Sequence, residues 1–161
     1  MDRDDFERLY EAEARPLLAF LAYRTGDVQL AEDVLADTFE RVLTTRRGFD
    51  PRRGAEKTWL YGIALNRLRD LYRRRAAEGR ALDRIVAGTS APTPSDQEAL
   101  GERDALNTAL AALSDDEREA IALRYGGDLS LKEIARVTGT ETTTVKGRIH
   151  RGLRKLRSEL D

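Results

Sequence analysis

The chain has no cysteine, which excludes disulfides and thiolate-held metals. His150 is its only histidine, and no Ser/His/Asp or metal-ligand set can be assembled around it. No catalytic residue, metal or cofactor is therefore expected. The carboxylate pair Asp115-Asp116 stands at a helix start, where capping and the helix dipole account for it. No apolar run approaches membrane-spanning length, and Met1-Asp2-Arg3-Asp4-Asp5 is no secretory signal, so a cytoplasmic protein is expected. β-Branched runs are scarce; alanine, leucine, arginine and glutamate dominate, which favours helices over strands.

Neither sign of charge dominates. Lysine and arginine number 28 against 29 acidic residues, a net charge of −1 that averages over opposed blocks. Asp27 to Arg41 and Asp96 to Glu119 are acidic, whereas Arg46 to Lys57, Arg67 to Arg84 and Lys146 to Arg157 are basic. Such alternation predicts more than one kind of contact surface. A length of 161 residues suits one domain or two small ones.

Asp5 can cap a first helix carrying Phe6, Leu9, Tyr10, Leu17, Phe20 and Leu21 on one face, with Pro16 expected to kink or split it. Thr25-Gly26-Asp27 breaks the pattern. A second helix, Val28 to Thr44, buries Ala31, Val34, Leu35, Phe39 and Val42 and exposes Glu32, Asp33, Asp37 and Glu40; an acidic face of this kind also fits plain solvated surface. The arginine- and glycine-rich stretch Arg46 to Glu56 reads as a loop. A third helix, Lys57 to Arg75, buries Leu60, Ile63, Ala64, Leu68 and Leu71, while Trp59, Gly62, Asn66, Arg69 and Arg73 line another face. One aromatic, one amide and several arginines suit unpaired nucleic acid, although Trp59 as core and the arginines as solubilising groups fit the same spacing.

Ala76 to Glu98, with Pro92 and Pro94, reads as a linker. A helix from Ser95 to Leu113 then opens a second domain, followed by a Ser114-x-x-Glu117 capping box and a helix ending at Gly126-Gly127. Ser130-x-x-Glu133 caps a short helix to Val137, and Thr138-Gly139-Thr140 supplies a tight turn with glycine free to take a positive φ. In the closing helix Val145, Ile149, Gly152, Leu153 and Leu156 form an apolar stripe, with Lys146, Gly147, His150, Arg151 and Arg154 on a cationic face. This is the pattern of a helix-turn-helix, whose second helix enters the major groove; a generic helical hairpin with a solvated basic face fits it too.

Taken together, the two halves resemble a bacterial sigma factor of the extracytoplasmic-function group in the sigma-70 family. AEDVLADTFERVL (Ala31 to Leu43) is similar to the family's polymerase-binding helix, and KTWLYGIALNRLRDLYRRR (Lys57 to Arg75) to its promoter-melting helix. Ala112 to Leu156 resembles its −35-binding domain. The resemblance implies an all-α chain with a polymerase-docking and −10-recognising domain over residues 1–75, a linker over 76–95 and a −35-binding domain over 96–161. It implies that Asp33, Asp37, Thr38 and Glu40 dock on the clamp helices of the polymerase's largest subunit. Arg52, Arg53, Lys57, Trp59, Asn66, Arg67, Arg69 and Arg73 would capture and surround an extruded base of the −10 element. Thr143, Thr144, Lys146, Gly147, Arg148, His150, Arg151 and Arg154 would serve the −35 element, with Arg148 and Arg154 on phosphates. Its further partners would be the flap of the polymerase's second-largest subunit and an anti-sigma factor.

Four departures from the family pattern stand out. Gly62 replaces a common basic residue, Gly147 a frequent serine, and Val34-Leu35-Ala36 a more acidic, leucine-rich version of the docking helix. Glu141 sits where a capping serine is usual, which makes Thr140 the expected cap. A free-standing helix-turn-helix repressor would leave the Lys57 to Arg75 helix without a purpose, and a helical enzyme or RNA-processing factor would lack a nucleophile–base or metal set.

Overall fold

The computed structural model describes residues 1–82 and 105–160, and every regular element among them is helical. In chain order these are α1 (Arg3–Thr25), α2 (Val28–Thr45), α3 (Glu56–Leu82), α4 (105–111), α5 (Asp115–Ile121), α6 (Leu131–Thr138) and α7 (Thr142–Leu160). The expected linker over 76–95 is helical as far as Leu82, and its remainder lies outside the described residues, as does the start of the helix expected from Ser95.

Helix starts follow side-chain capping. Asp2, rather than Asp5, caps α1, while Asp5 returns its carboxylate to the Asp2 amide and completes a capping box. Asp27 caps α2, and Ser114 and Ser130 close the two expected capping boxes with Glu117 and Glu133. Pro16 does not split α1. The ring removes one backbone hydrogen bond, but Leu17, Phe20 and Leu21 just beyond it are fully buried. At about 1.5–3 kcal/mol for each buried side chain, that burial outweighs the interruption.

α1, α2 and α3 pack as a bundle around Phe20, Ala31, Val42, Leu60, Ala64 and Leu68. Ile63 and Leu71, expected in this core, are only half-buried, and Tyr61 and Leu65 take the interior positions instead. The second half is built on α5 and α7, with α6 packed against α7 and against α3 of the first half. After Ile121 the helix widens into a single π turn, Ala122–Gly126, and Asp128 takes a positive φ of 57° on the way to α6. Gly139, at φ 67°, turns α6 into α7 and returns its amide to the Ala135 carbonyl.

The two halves share one core, which runs from Leu9 through Tyr61 and Leu129 to Ile149. The π turn lies flat on α1: a Cβ on Gly126 would stand 2.9 Å from the Phe20 amide nitrogen and 3.0 Å from its Cα. Tyr61, fully buried, points its hydroxyl at the Gly127 carbonyl, 3.4 Å away. Arg24 is also buried; its guanidinium lies 5.3 Å over the Tyr72 ring and 3.4 Å from Glu119 of α5.

Candidate nucleic-acid interface

Three surfaces carry the residues singled out by sequence. On α2, Asp33, Asp37 and Glu40 are exposed on one acidic face, with Glu32 beside them. Thr38 departs from expectation: it is fully buried, and its hydroxyl donates to the Val34 carbonyl at 2.7 Å. A threonine turned into the core in this way shapes the helix and offers nothing to a partner.

The second surface surrounds Trp59. The loop expected between α2 and α3 is ordered by two 3₁₀ turns, Arg46–Gly48 and Pro51–Arg53, and the Asp50 carboxylate accepts from the Arg52 amide at 3.0 Å. It carries Phe49 onto Trp59, with ring centroids 5.1 Å apart and planes tilted by 50°. Trp59 is half-buried, at the junction of two cavities. One, of about 490 Å³, is lined by Asn66, Arg67 and Arg73 together with Arg41 and Asp70. The other, of about 300 Å³, lies between the Phe49–Ala55 loop and α6, and Arg53 lines it. An indole, an amide and guanidinium groups around one open groove provide stacking, hydrogen bonding and charge neutralisation together. Arg52, Lys57 and Arg69 line neither cavity.

α6 closes one side of this region. Arg136 donates to the Arg53 carbonyl at 2.6 Å, and its guanidinium lies against Gly54, whose φ of 145° suits glycine. Lys57 Nζ donates to the Asp128 carbonyl at 3.0 Å. One carbonyl of the loop and the lysine in the first turn of α3 are thus held by the second half of the chain. Sequence reasoning passed over Arg136 and Phe49. Phe49 is visible as the one aromatic in an arginine-rich loop, whereas Arg136 gives no sequence signal because its role depends on packing of the two halves.

The third surface is α7. Thr143, Lys146, Gly147, His150, Arg151 and Arg154 line one open face, and Thr144 is exposed in the first turn. The buried side of the helix is Val145, Ile149 and Gly152. Gly152 allows the crossing with α5, since a Cβ there would stand 2.3 Å from Ile121 Cδ1. Arg148 points elsewhere: it is 3.5 Å from Asp116 of α5, with only 21% of its side chain exposed. Thr140 is not the cap of α7. The helix begins at Thr142, the Glu141 carbonyl accepts its first hydrogen bond, and the Thr140 hydroxyl pairs with Thr138 instead.

Glu117 joins α5 to this face. The Lys155 ammonium, 2.7 Å away, and the Ser114 amide hold its carboxyl down at about 2. In the opposite direction, burial pushes the Glu13 carboxyl above its ordinary range, Lys57 opposes the shift, and Glu133 and Asp128 add to it. Among the described residues no group of three or more His, Cys, Asp or Glu side chains could hold a metal ion, and no helix is long and apolar enough to cross a membrane.

Comparison with known proteins places these surfaces in a family. Residues 9–78 match the family model Sigma-70 region 2, and residues 103–156 match Sigma-70, region 4. The chain is 34% identical over 160 residues to RNA polymerase sigma factor CarQ of Myxococcus xanthus, covering 98% of this chain and 90% of that protein. It is 36% identical over 153 residues to the ECF RNA polymerase sigma factor SigW of Bacillus subtilis, covering 87% of this chain and 81% of that one. Two solved structures share its fold. One is the sigma factor RpoE in complex with the anti-sigma factor NepR from Bartonella quintana, with TM-score 0.80 and 27% identity over 98% of this chain and 97% of that one. The other is CnrH in complex with the cytosolic domain of CnrY, with TM-score 0.75 and 28% identity over 99% and 90%. By both halves of its sequence and by its fold, the chain belongs to the extracytoplasmic-function group of the sigma-70 family of RNA polymerase sigma factors.

Proposed function

We propose that this chain joins core RNA polymerase through the acidic face of α2, reads the −10 element with the Trp59 region and the −35 element with α7, and nucleates strand opening. The observation that carries this reading is the groove beside Trp59, with Asn66, Arg67 and Arg73 along it. A protein that binds only duplex DNA has no use for a stacking surface flanked by cations, whereas one that holds an unpaired base needs both. Asp33, Asp37 and Glu40 supply an exposed anionic face suited to basic helices of the largest polymerase subunit. On α7, Lys146, His150, Arg151 and Arg154 present donors to base edges and phosphates, while Arg148 braces the helix against α5.

The chain makes and breaks no bond itself; catalysis belongs to the polymerase it joins, in the bacterial cytoplasm. In the closed arrangement Lys57 and the Arg53 carbonyl are tied to the second half. Bringing Lys57 onto the melted strand requires that tie to break, whereas the groove lined by Asn66, Arg67 and Arg73 is not covered by the second half. An anti-sigma factor of the kind bound to RpoE would act by favouring the arrangement in which the halves are together, and the polymerase flap and clamp by favouring the one in which they are apart.

Paired variants test the division of labour. Asp37→Arg should weaken association with core polymerase by charge repulsion and leave −35 preference intact. Lys146→Ala should weaken transcription from promoters with a −35 element and leave polymerase association intact. Equal loss of both properties in both variants would contradict the assignment.

A further inference from the structure

Three features meet on the open face of α7. Glu117, on α5, has only 7% of its side chain exposed and holds three groups at once: it accepts from the Ser114 amide at 3.0 Å and from Lys155 Nζ at 2.7 Å, and its Oε2 lies 3.6 Å from Arg151 Nε. Arg151 does not extend straight into solvent. Its guanidinium folds back along α7, so that Nη1 lies 3.2 Å and Cζ 3.9 Å from the point a Cβ would occupy on Gly147. The same side chain is 56% exposed, on the face it shares with Lys146 and His150.

The arrangement constrains a side chain that otherwise carries large rotamer freedom. The buried carboxylate takes the Nε edge of the guanidinium, and the missing Cβ leaves room for the plane to lie against the helix. The terminal nitrogens remain free to donate outward. Arginine placed in this way matches the paired acceptors O6 and N7 of guanine, the commonest specific contact in the major groove. A guanidinium fixed before binding also loses less freedom when it binds.

Building on the −35 assignment, we propose that Arg151 reads a guanine in the −35 element, with Glu117 as its positioning residue and Gly147 as the opening that sets its pose. Without Glu117 the arginine would be free to settle on phosphate, which gives affinity but no base preference. With a Cβ at residue 147 the guanidinium must shift by a few tenths of an ångström, which disturbs the pose in which it meets the base.

The test uses holoenzyme assembled from core polymerase and the full chain, transcribing a promoter pool randomised across the −35 element, with transcribed members identified by sequencing. The native chain should show a guanine preference of about ten- to a hundredfold at one position. Arg151→Ala should abolish it there and leave other positions alone. Glu117→Gln should flatten the preference at that position, and Gly147→Ala should shift or flatten it at the same position. Alanine is the better helix former, so the Gly147 variant stays folded even if Glu117→Gln weakens α5. A purely structural role for Glu117 and Gly147 would lower output from all members alike with the preference intact, and that result would overturn the proposal. A pool in which neither Arg151→Ala nor Lys146→Ala alters any base preference would instead refute the −35 assignment itself.

Discussion

Replacing Gly126 with alanine perturbs the contact that closes the two halves. The added Cβ would stand 2.9 Å from the Phe20 amide nitrogen, 3.0 Å from its Cα and 3.1 Å from the Ala19 carbonyl carbon. All three are backbone atoms of α1, which cannot move aside as a side chain would. Overpacking of this kind costs about 1–3 kcal/mol. The gain of alanine over glycine in helix propensity, about 1 kcal/mol, is local and present whether the halves are together or apart, so it does not offset the clash. The closing equilibrium should therefore fall by roughly 5- to 150-fold, at 1.4 kcal/mol per factor of ten. Because the native chain has no cysteine, a Glu11→Cys, Ser158→Cys pair can carry dyes at two exposed sites, one on each half. Energy transfer followed as urea is raised would read the opening midpoint even when the native chain is almost wholly closed. Gly126→Ala should move that midpoint to lower urea. Gly62→Ala, where a Cβ meets open space, should not lower it. An unchanged midpoint for Gly126→Ala would mean that the π turn does not rest on α1 in solution.

Three further outcomes follow from individual contacts. Ser130→Ala removes the hydroxyl that accepts from the Glu133 amide and should cost about 1 kcal/mol of stability, read by thermal unfolding; no loss would contradict the capping role. Glu13 has a carboxyl raised above its ordinary 4.5 by burial, so it contributes fully below pH 4.5 and that contribution is lost as pH rises through the raised value. Glu13→Gln should flatten this decline, and urea unfolding at pH 5 and pH 7 would reveal it; a Gln variant less stable than the native chain at pH 7 would contradict the sign. Trp59→Ala should slow initiation on duplex promoters, in line with a stacking contribution of about 1–3 kcal/mol, and a pre-melted template should restore most of the rate.

Much of the helical order was legible before any coordinates. Capping boxes at Ser114 and Ser130, the glycine turn at Gly139 and the apolar stripes of α2 and α7 are local chemistry, and local chemistry is written in consecutive residues. Burial was less legible where two faces of one helix compete. Tyr61 is interior because the second half covers it, and Ile63 is half-exposed because nothing does so fully. Thr38 looks like a polar member of an acidic face until its hydroxyl is seen to bond back to Val34. Arg148 looks like a phosphate contact until Asp116 is found 3.5 Å from it. Each of these depends on which elements meet, which no periodicity encodes. Gly126-Gly127 reads naturally as a helix stop; that it is also where the π turn lies against α1 and Tyr61 is visible only in three dimensions.

Run-off transcription with core polymerase on a library of promoter fragments tests the sigma function most directly. Core enzyme supplemented with this chain should initiate at discrete start sites that core enzyme alone does not use, and each site should have a shared pair of sequence elements upstream. If the purified chain binds DNA unaided yet leaves the polymerase's start sites unchanged, it does not act as a sigma subunit.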